Sequence, residues 1–208
     1  MTTTMTRRGL VASASALGGA SIAIGVATIG AGDQSLAQTE TGMADLSFDT
    51  LFDTSASATS MSGEAADRVA IRTLIDAWGH YADRRMADAQ AALLVEDGVV
   101  TIYDGEPDGR DPVGVRNGRA ELREALDVLN RYTHTTHLNG QSALSVRGDR
   151  AIGETYCMAH HLYDDEGQRK LLLMAIRYYD EFVRVDEAWR FASRILVIDW
   201  SETRPSPA

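Results

Sequence analysis

The sequence predicts an α+β domain: a strongly curved antiparallel sheet with about three helices packed on one face. Two observations predict it. Stretches with helical periodicity fill the first half of the domain, and long β-patterned stretches joined by tight turns fill the second.

The first helix is expected from Glu64 to about Arg85, because Ile71, Leu74, Trp78 and Tyr81 recur at spacings of three and four and form one apolar stripe. On a regular helix Asp76, His80 and Asp83 fall on the opposite side. A short helix over 86–94 follows, and Asp97-Gly98 marks a turn into a strand at 99–103. Residues 104–118 read as a long, turn-rich loop, and a third helix covers 119–132 with Leu122, Leu126 and Leu129 on one face. Strands are expected over 133–146, 150–163, 169–185 and 188–200, separated by Arg147-Gly148-Asp149, by Asp164 to Gly167 and by Val185-Asp186-Glu187. A curved sheet covered by helices leaves a pocket between the layers, which is where small-molecule sites are favoured.

The folded unit, 64–203, is preceded by two segments of other character and followed by a short tail at 204–208. Residues 1–37 read as a twin-arginine-type signal peptide: Arg7-Arg8, an uncharged run from Gly9 to Gly32, then Ser35 and Ala37 before a cut at Gln38. Leu10 and Ala12 depart from that consensus, and a retained leader would act as a membrane anchor. Cleavage leaves an exported protein, periplasmic or extracellular, with no stable membrane insertion. Residues 38–63, rich in Ser, Thr, Ala and Asp, read as a flexible tether.

Composition narrows the function classes. Twenty basic residues against thirty acidic ones give a net charge of -10, and no basic patch gathers, so nucleic acid is not an expected partner. The single cysteine, Cys157, excludes a disulfide framework and every multi-cysteine metal or redox motif, and reads as a small buried hydrophobe.

Histidines carry the remaining chemistry. In THTTHLNG, His134 and His137 lie an odd number of residues apart, so on a regular strand they face opposite ways and do not share a metal. Carboxylates at ligand spacing are missing as well, so no metal and no cofactor is expected. His160 and His161 also alternate. Placing Glu154 outside sends Tyr156, Met158 and His160 outward and Thr155, Cys157, Ala159 and His161 inward. A bulge would reverse this. Asn139 either orients a substrate oxygen or serves the turn at Gly140, and Trp189 and Phe191 alternate into the core.

The strings YADRRMADAQAALLVEDGVV (81–100), GRAELREAL (118–126), THTTHLNGQ (133–141), GDRAIGETYCMAHH (148–161) and AWRFASR (188–194) resemble, in order and spacing, the SnoaL-like branch of the nuclear transport factor 2 superfamily. Its members include scytalone dehydratase, bile-acid dehydratases and the hexachlorocyclohexane dehydrochlorinase. The resemblance implies an NTF2-like cone with the helices on the concave face of the sheet. It also implies a dyad of a strand histidine and an aspartate closing the first helix, at His137 and Asp83. A tyrosine one turn before the aspartate is replaced here by Trp78, with Tyr81 nearby. A second histidine would be His161 or His160.

Chemically, a carboxylate that accepts the Nδ1 hydrogen fixes the imidazole tautomer and leaves Nε2 as a base. The expected function is thus a cofactor-independent lyase or isomerase acting on a small hydrophobic, hydroxylated or carbonyl-bearing molecule, with Trp78, Tyr81, Tyr103, Asn139 and His161 as substrate-binding residues. The alternative is a ligand-binding or dimerising module without chemistry, with His137 bonded to a backbone carbonyl and Asp83 solvated. Asp83 reaches the pocket only if the first helix ends or bends near Ala82. Hydrolysis of an epoxide would need an Asp-Arg-Asp arrangement that Asp108, Arg110 and Asp111 do not resemble. The resemblance further implies a homodimer across the outer sheet face, for which Leu172, Met174, Ile176, Leu196, Ile198 and Trp200 are the candidate apolar side chains.

Overall fold

The computed structural model describes residues 62–206. The expected signal peptide and all but the last two residues of the tether lie outside the described residues. Helix α1 spans Glu64–Asp83 and α2 Ala87–Ala91; strands β1, Leu94–Asp104, and β2, Gly114–Asn117, follow. Helix α3, Gly118–Leu126, runs into a 3-10 turn, Asp127–Arg131. Four long strands complete the domain: β3 His134–Arg147, β4 Arg150–Asp165, β5 Gln168–Val185 and β6 Ala188–Pro205.

All six strands form one curved sheet in the order β2-β1-β6-β5-β4-β3, with the helices on one face. The sheet is mixed, not wholly antiparallel as expected, because β1 runs parallel to β6. Hairpin turns oblige β3 to β6 to alternate, but β1 joins from a distant part of the chain and no turn dictates its direction. Three other expectations change. Asp97-Gly98 is no turn: β1 starts at Leu94 and passes through it with a register shift between Leu94 and Val99. The supposed loop 104–118 contains β2, a four-residue edge strand too short to show a period. The third helix tightens to 3-10 geometry after Leu126. Among the described residues, no helix is long and apolar enough to cross a membrane.

The α1 stripe packs as its spacing requires, with Ile71 and Leu74 fully enclosed against Trp189 and Phe191. Burying each such side chain contributes roughly 1.5–3 kcal/mol. At the start of α1, Asp67 accepts from Trp189 Nε1 at 3.1 Å and pairs with Arg184 at 2.7 Å, pinning the helix to β5 and β6. Deeper, Arg194 donates to both oxygens of Asp180 at 2.7 Å. Its guanidinium also lies over the rings of Trp78, Tyr178 and Phe191 at 4.6, 4.0 and 4.1 Å.

Register shifts decide which side chains face inward, and two of them bear on the site. In β3 the register slips between Asn139 and Ser142, so His137 and Asn139 point inward before the bulge and Ser142 and Leu144 after it. Ser142 accordingly meets the buried Thr155 hydroxyl at 2.9 Å. In β6 the slip at Asp199 pairs Ile176 with Ile198 but Ala175 with Trp200. Trp200 therefore lies on the convex face, apart from Leu196 and Ile198 with which it had been grouped.

Candidate active site

Helix α1 turns the residues Arg72, Asp76, Gly79 and Asp83 toward β3. Arg72 donates to the Gly140 carbonyl at 2.9 Å, and Asn139 Nδ2 donates to the Ile75 carbonyl and to Asp76 Oδ1, both at 3.1 Å. Gly79 lets the two backbones close, since a Cβ there would stand 3.0 Å from the His137 Cβ. The helix face that looked solvent-facing in projection is thus partly covered by an edge strand. Asp83 is its last residue; Arg85 follows with φ 59 and ends the helix. The bend that the dyad needs is supplied here, just past Asp83.

His137 Nδ1 lies 2.7 Å from Asp83 Oδ1, and the His137 backbone N–H donates to Oδ2 at 2.9 Å. The Thr135 hydroxyl joins at 2.9 Å from Oδ1. Its direction follows from Arg85, which can only donate and does so to Thr135 Oγ1 at 2.7 Å, so the Thr135 hydrogen must turn to Asp83. An ionised Asp83 accepts all three bonds. Burial works to raise its carboxyl, but the His137 bonds and charge and the Thr135 bond outweigh it, and the net shift is downward. An acceptor-only carboxylate requires Nδ1 to carry the hydrogen, which leaves a lone pair on Nε2 of neutral His137. Nε2 has no hydrogen-bond partner among the described residues.

A cavity of about 320 Å³ lies between the sheet and α3, and His137, His161, Trp78 and Tyr132 line it together. Its walls are otherwise mainly apolar, with Ile102 from β1, Leu122 and Leu126 from α3, and Met174 and Ile176 from β5. The His161 ring stands edge to face with His137 at 5.3 Å and against Tyr132 at 4.6 Å. Only 2% exposed, it is pushed down to about 4, first by burial and then by the neighbouring His137. His161 is therefore neutral at the ordinary imidazole value of 6.5. Cys157, buried in the wall beneath, is pushed up to about 11 chiefly by burial and is no nucleophile. A larger, shallower depression of about 570 Å³ crosses the convex face beside Glu154, Tyr179 and Glu181, but brings no histidine to its surface.

Of the proposed site residues, His137, Asp83, Trp78 and His161 come together. The parity argument on β4 holds throughout: Thr155, Cys157, Ala159 and His161 are buried. Three other residues do not join them. Tyr103 lies on β1 out of phase with Val100 and Ile102, which line the cavity, so the pleat turns it away. Asn139 spends its amide on α1. Tyr81 packs on the core next to His80 and is not part of the cavity wall. The supposed dimer face also changes sides, since Met174, Ile176, Leu196 and Ile198 form the cavity wall. Arg110 bonds the Asp104 carbonyl on an exposed loop, far from any Asp-Arg-Asp site. Thr135 and Arg85 were missed, although Thr135 shares strand parity with His137.

The chain belongs to the SnoaL-like domain family, whose match spans residues 63–195. It is 25% identical to an uncharacterised Mycobacterium tuberculosis protein over 134 residues, 64% of this chain and 85% of that one. Among solved structures it is similar to a provisionally named scytalone dehydratase from Novosphingobium aromaticivorans, with a TM-score of 0.57 and 23% identity over 69% of this chain and 90% of that one. It is also similar to a hexachlorocyclohexane dehydrochlorinase, LinA type 2, with a TM-score of 0.55 and 22% identity over 69% and 91% of the two chains. At these identities the structures establish a shared fold.

Proposed function

We propose that the protein is a cofactor-independent lyase or isomerase that draws a proton from carbon in a small, hydrophobic, cyclic molecule bearing hydroxyl or carbonyl groups. The observation that carries this reading is the His137 ring, held through Nδ1 by Asp83 and lining an apolar cavity with its Nε2 unpartnered. Nε2 takes the proton, and the C–H electron pair becomes a C=C bond or an enolate. In a dehydration the C–O bond breaks as the C=C bond forms, or from the enolate, and the oxygen leaves as water, carrying the proton returned by the imidazolium. Asp83 stabilises the imidazolium in between, and the neutral His161 ring offers one N–H to a substrate oxygen. The dehydratase and dehydrochlorinase names of the fold neighbours agree with an elimination.

The test is turnover of a panel of alicyclic alcohols and enones by the wild type and His137→Ala. Equal rates would leave a binding module without chemistry. Two further proposals concern the setting. The protein is exported with its leader removed, which mass spectrometry of the mature N-terminus checks; a mass that includes residues 1–37 overturns it. Two copies pair across the convex face, where Leu138, Met158, Ala175 and Trp200 form one row over four strands. Light scattering should find a dimer that Trp200→Asp splits; a monomeric wild type refutes the pairing.

A further inference from the structure

The cavity has a second set of polar residues. Gln90, on α2, lines it and is only 2% exposed, yet its carboxamide has no hydrogen-bond partner among the described residues; its bonds are those of its backbone. The polar atoms of the amide are not sealed from the cavity, so it is open to a polar group that enters there. Arg116, on β2, lines the same cavity and is half-buried. Its single hydrogen bond, at 2.7 Å, goes to the neighbouring Val115 carbonyl, and it enters no ion pair among the described residues. Nearby carboxylates are occupied: Asp88 and Asp127 by Arg123, Glu121 by the Asn117 backbone N–H.

Topology sets this pair apart from the histidines. Helix α2 packs on α3, and β2 leads directly into α3, so Gln90 and Arg116 flank the same helix. His137 lies on β3, the opposite edge strand of the sheet from β2. Between them the wall is apolar, with Val100, Ile102, Leu126 and Leu196. Arg116 and His137 thus reach the cavity from opposite edges of the sheet, with Gln90 on the helix side.

We propose that Gln90 and Arg116 are substrate-orienting residues that hold a carboxylate on an otherwise hydrophobic substrate, and so present a carbon at its other end to His137. Arginine offers a carboxylate two parallel N–H donors, and the Gln90 amide supplies a third from deeper in the wall. This names a substrate class, hydrophobic carboxylic acids, and rests on the proton-abstraction reading for the role of His137 alone.

Binding can be measured without turnover. The probes are 2-naphthoate and its methyl ester, titrated calorimetrically into the full chain and into His137→Ala. The wild type should bind the acid at least tenfold more tightly than the ester, against the repulsion of the protein's own net negative charge. Arg116→Met should abolish that preference, and Gln90→Leu should weaken acid binding severalfold, while Arg110→Met on the exposed loop changes neither. Circular dichroism melts check that each variant folds. Equal affinity for acid and ester, or an unchanged preference in Arg116→Met, overturns the proposal. Should the acid preference persist while His137→Ala turns over alicyclic hydroxy acids as fast as the wild type, recognition stands and the catalytic reading falls. Should turnover need His137 while acid and ester bind alike, recognition alone falls.

Discussion

Strands β3 and β4 carry four of the protein's five histidines, two on each face of the sheet. On the concave face His137 and His161 meet in a cavity; on the convex face His134 and His160 flank a shallow depression. The residue type and strands are the same, so the difference lies in the partners each face supplies. His137 has a carboxylate on one ring nitrogen and an apolar cavity before it, whereas His134 is exposed to solvent. The setting that distinguishes His137 is supplied by the helix laid against the sheet more than by the histidine itself.

The largest expected effect of breaking that comparison is His137→Ala, which should lower kcat/KM by about 10²–10⁴, the usual range for a general base. Asp83→Asn comes next, with a loss on the order of 10², because an amide can donate to Nδ1 and so hold the wrong tautomer. Asp83 also makes a stability prediction. Its folded value is depressed, so its contribution is complete above the ordinary carboxylate value of 3.8 and is lost as pH falls through the lower folded value. Acid melts of wild type and Asp83→Asn should therefore converge below that range.

Gly79→Ala tests the helix contact without touching a polar group. The added methyl group must push on the His137 Cβ 3.0 Å away, so activity should fall roughly tenfold, short of the ~10²-fold that a 1 Å misplacement can cost. Stability should change little, because alanine gains about 1 kcal/mol of helix propensity against overpacking of about 1–3 kcal/mol. An active, unshifted variant would show that the close approach is dispensable.

His161 gives a subtler signature. Its folded value is depressed from 6.5 to about 4, so as pH falls through this window the unfolded chain takes up a proton that the folded one refuses. The wild type should lose up to roughly 3 kcal/mol over that window relative to His161→Gln. Parallel melting curves would mean that His161 is better solvated than its burial implies. The smallest effect belongs to the other face: His134→Ala and His160→Ala should leave kcat/KM within about twofold, as expected for surface substitutions away from the chemistry. A large loss in either would break the distinction between the faces.

Much of this was legible in the sequence, and what was not has identifiable causes. Alternation along β4 was enough to send His161 inward, because that strand carries no bulge between Thr155 and His161. The same logic failed for Trp200, where the slip at Asp199 shifts the phase by one residue. Asp83 looked misplaced because a helical projection shows which residues share a face, not how many faces are covered. Here β3 covers a second one. Gln90 and Arg116 gave no local signal at all, since nothing in a five-residue helix or a four-residue edge strand shows that both border one cavity.

The place where α1 stops has a further consequence. A helix of twenty residues ends at Asp83, so the negative pole of its aligned peptide dipoles falls at the residue bonded to His137, while its last carbonyls are taken by following backbone N–H groups and by Arg85. If His137 takes a proton as proposed, the charge is met by backbone as well as by carboxylate, an effect typically worth about 0.3–1 kcal/mol and up to ~2 kcal/mol where the site is partly buried. Under the proposed reading, part of the support for His137 is written into the direction of the chain rather than into a side chain.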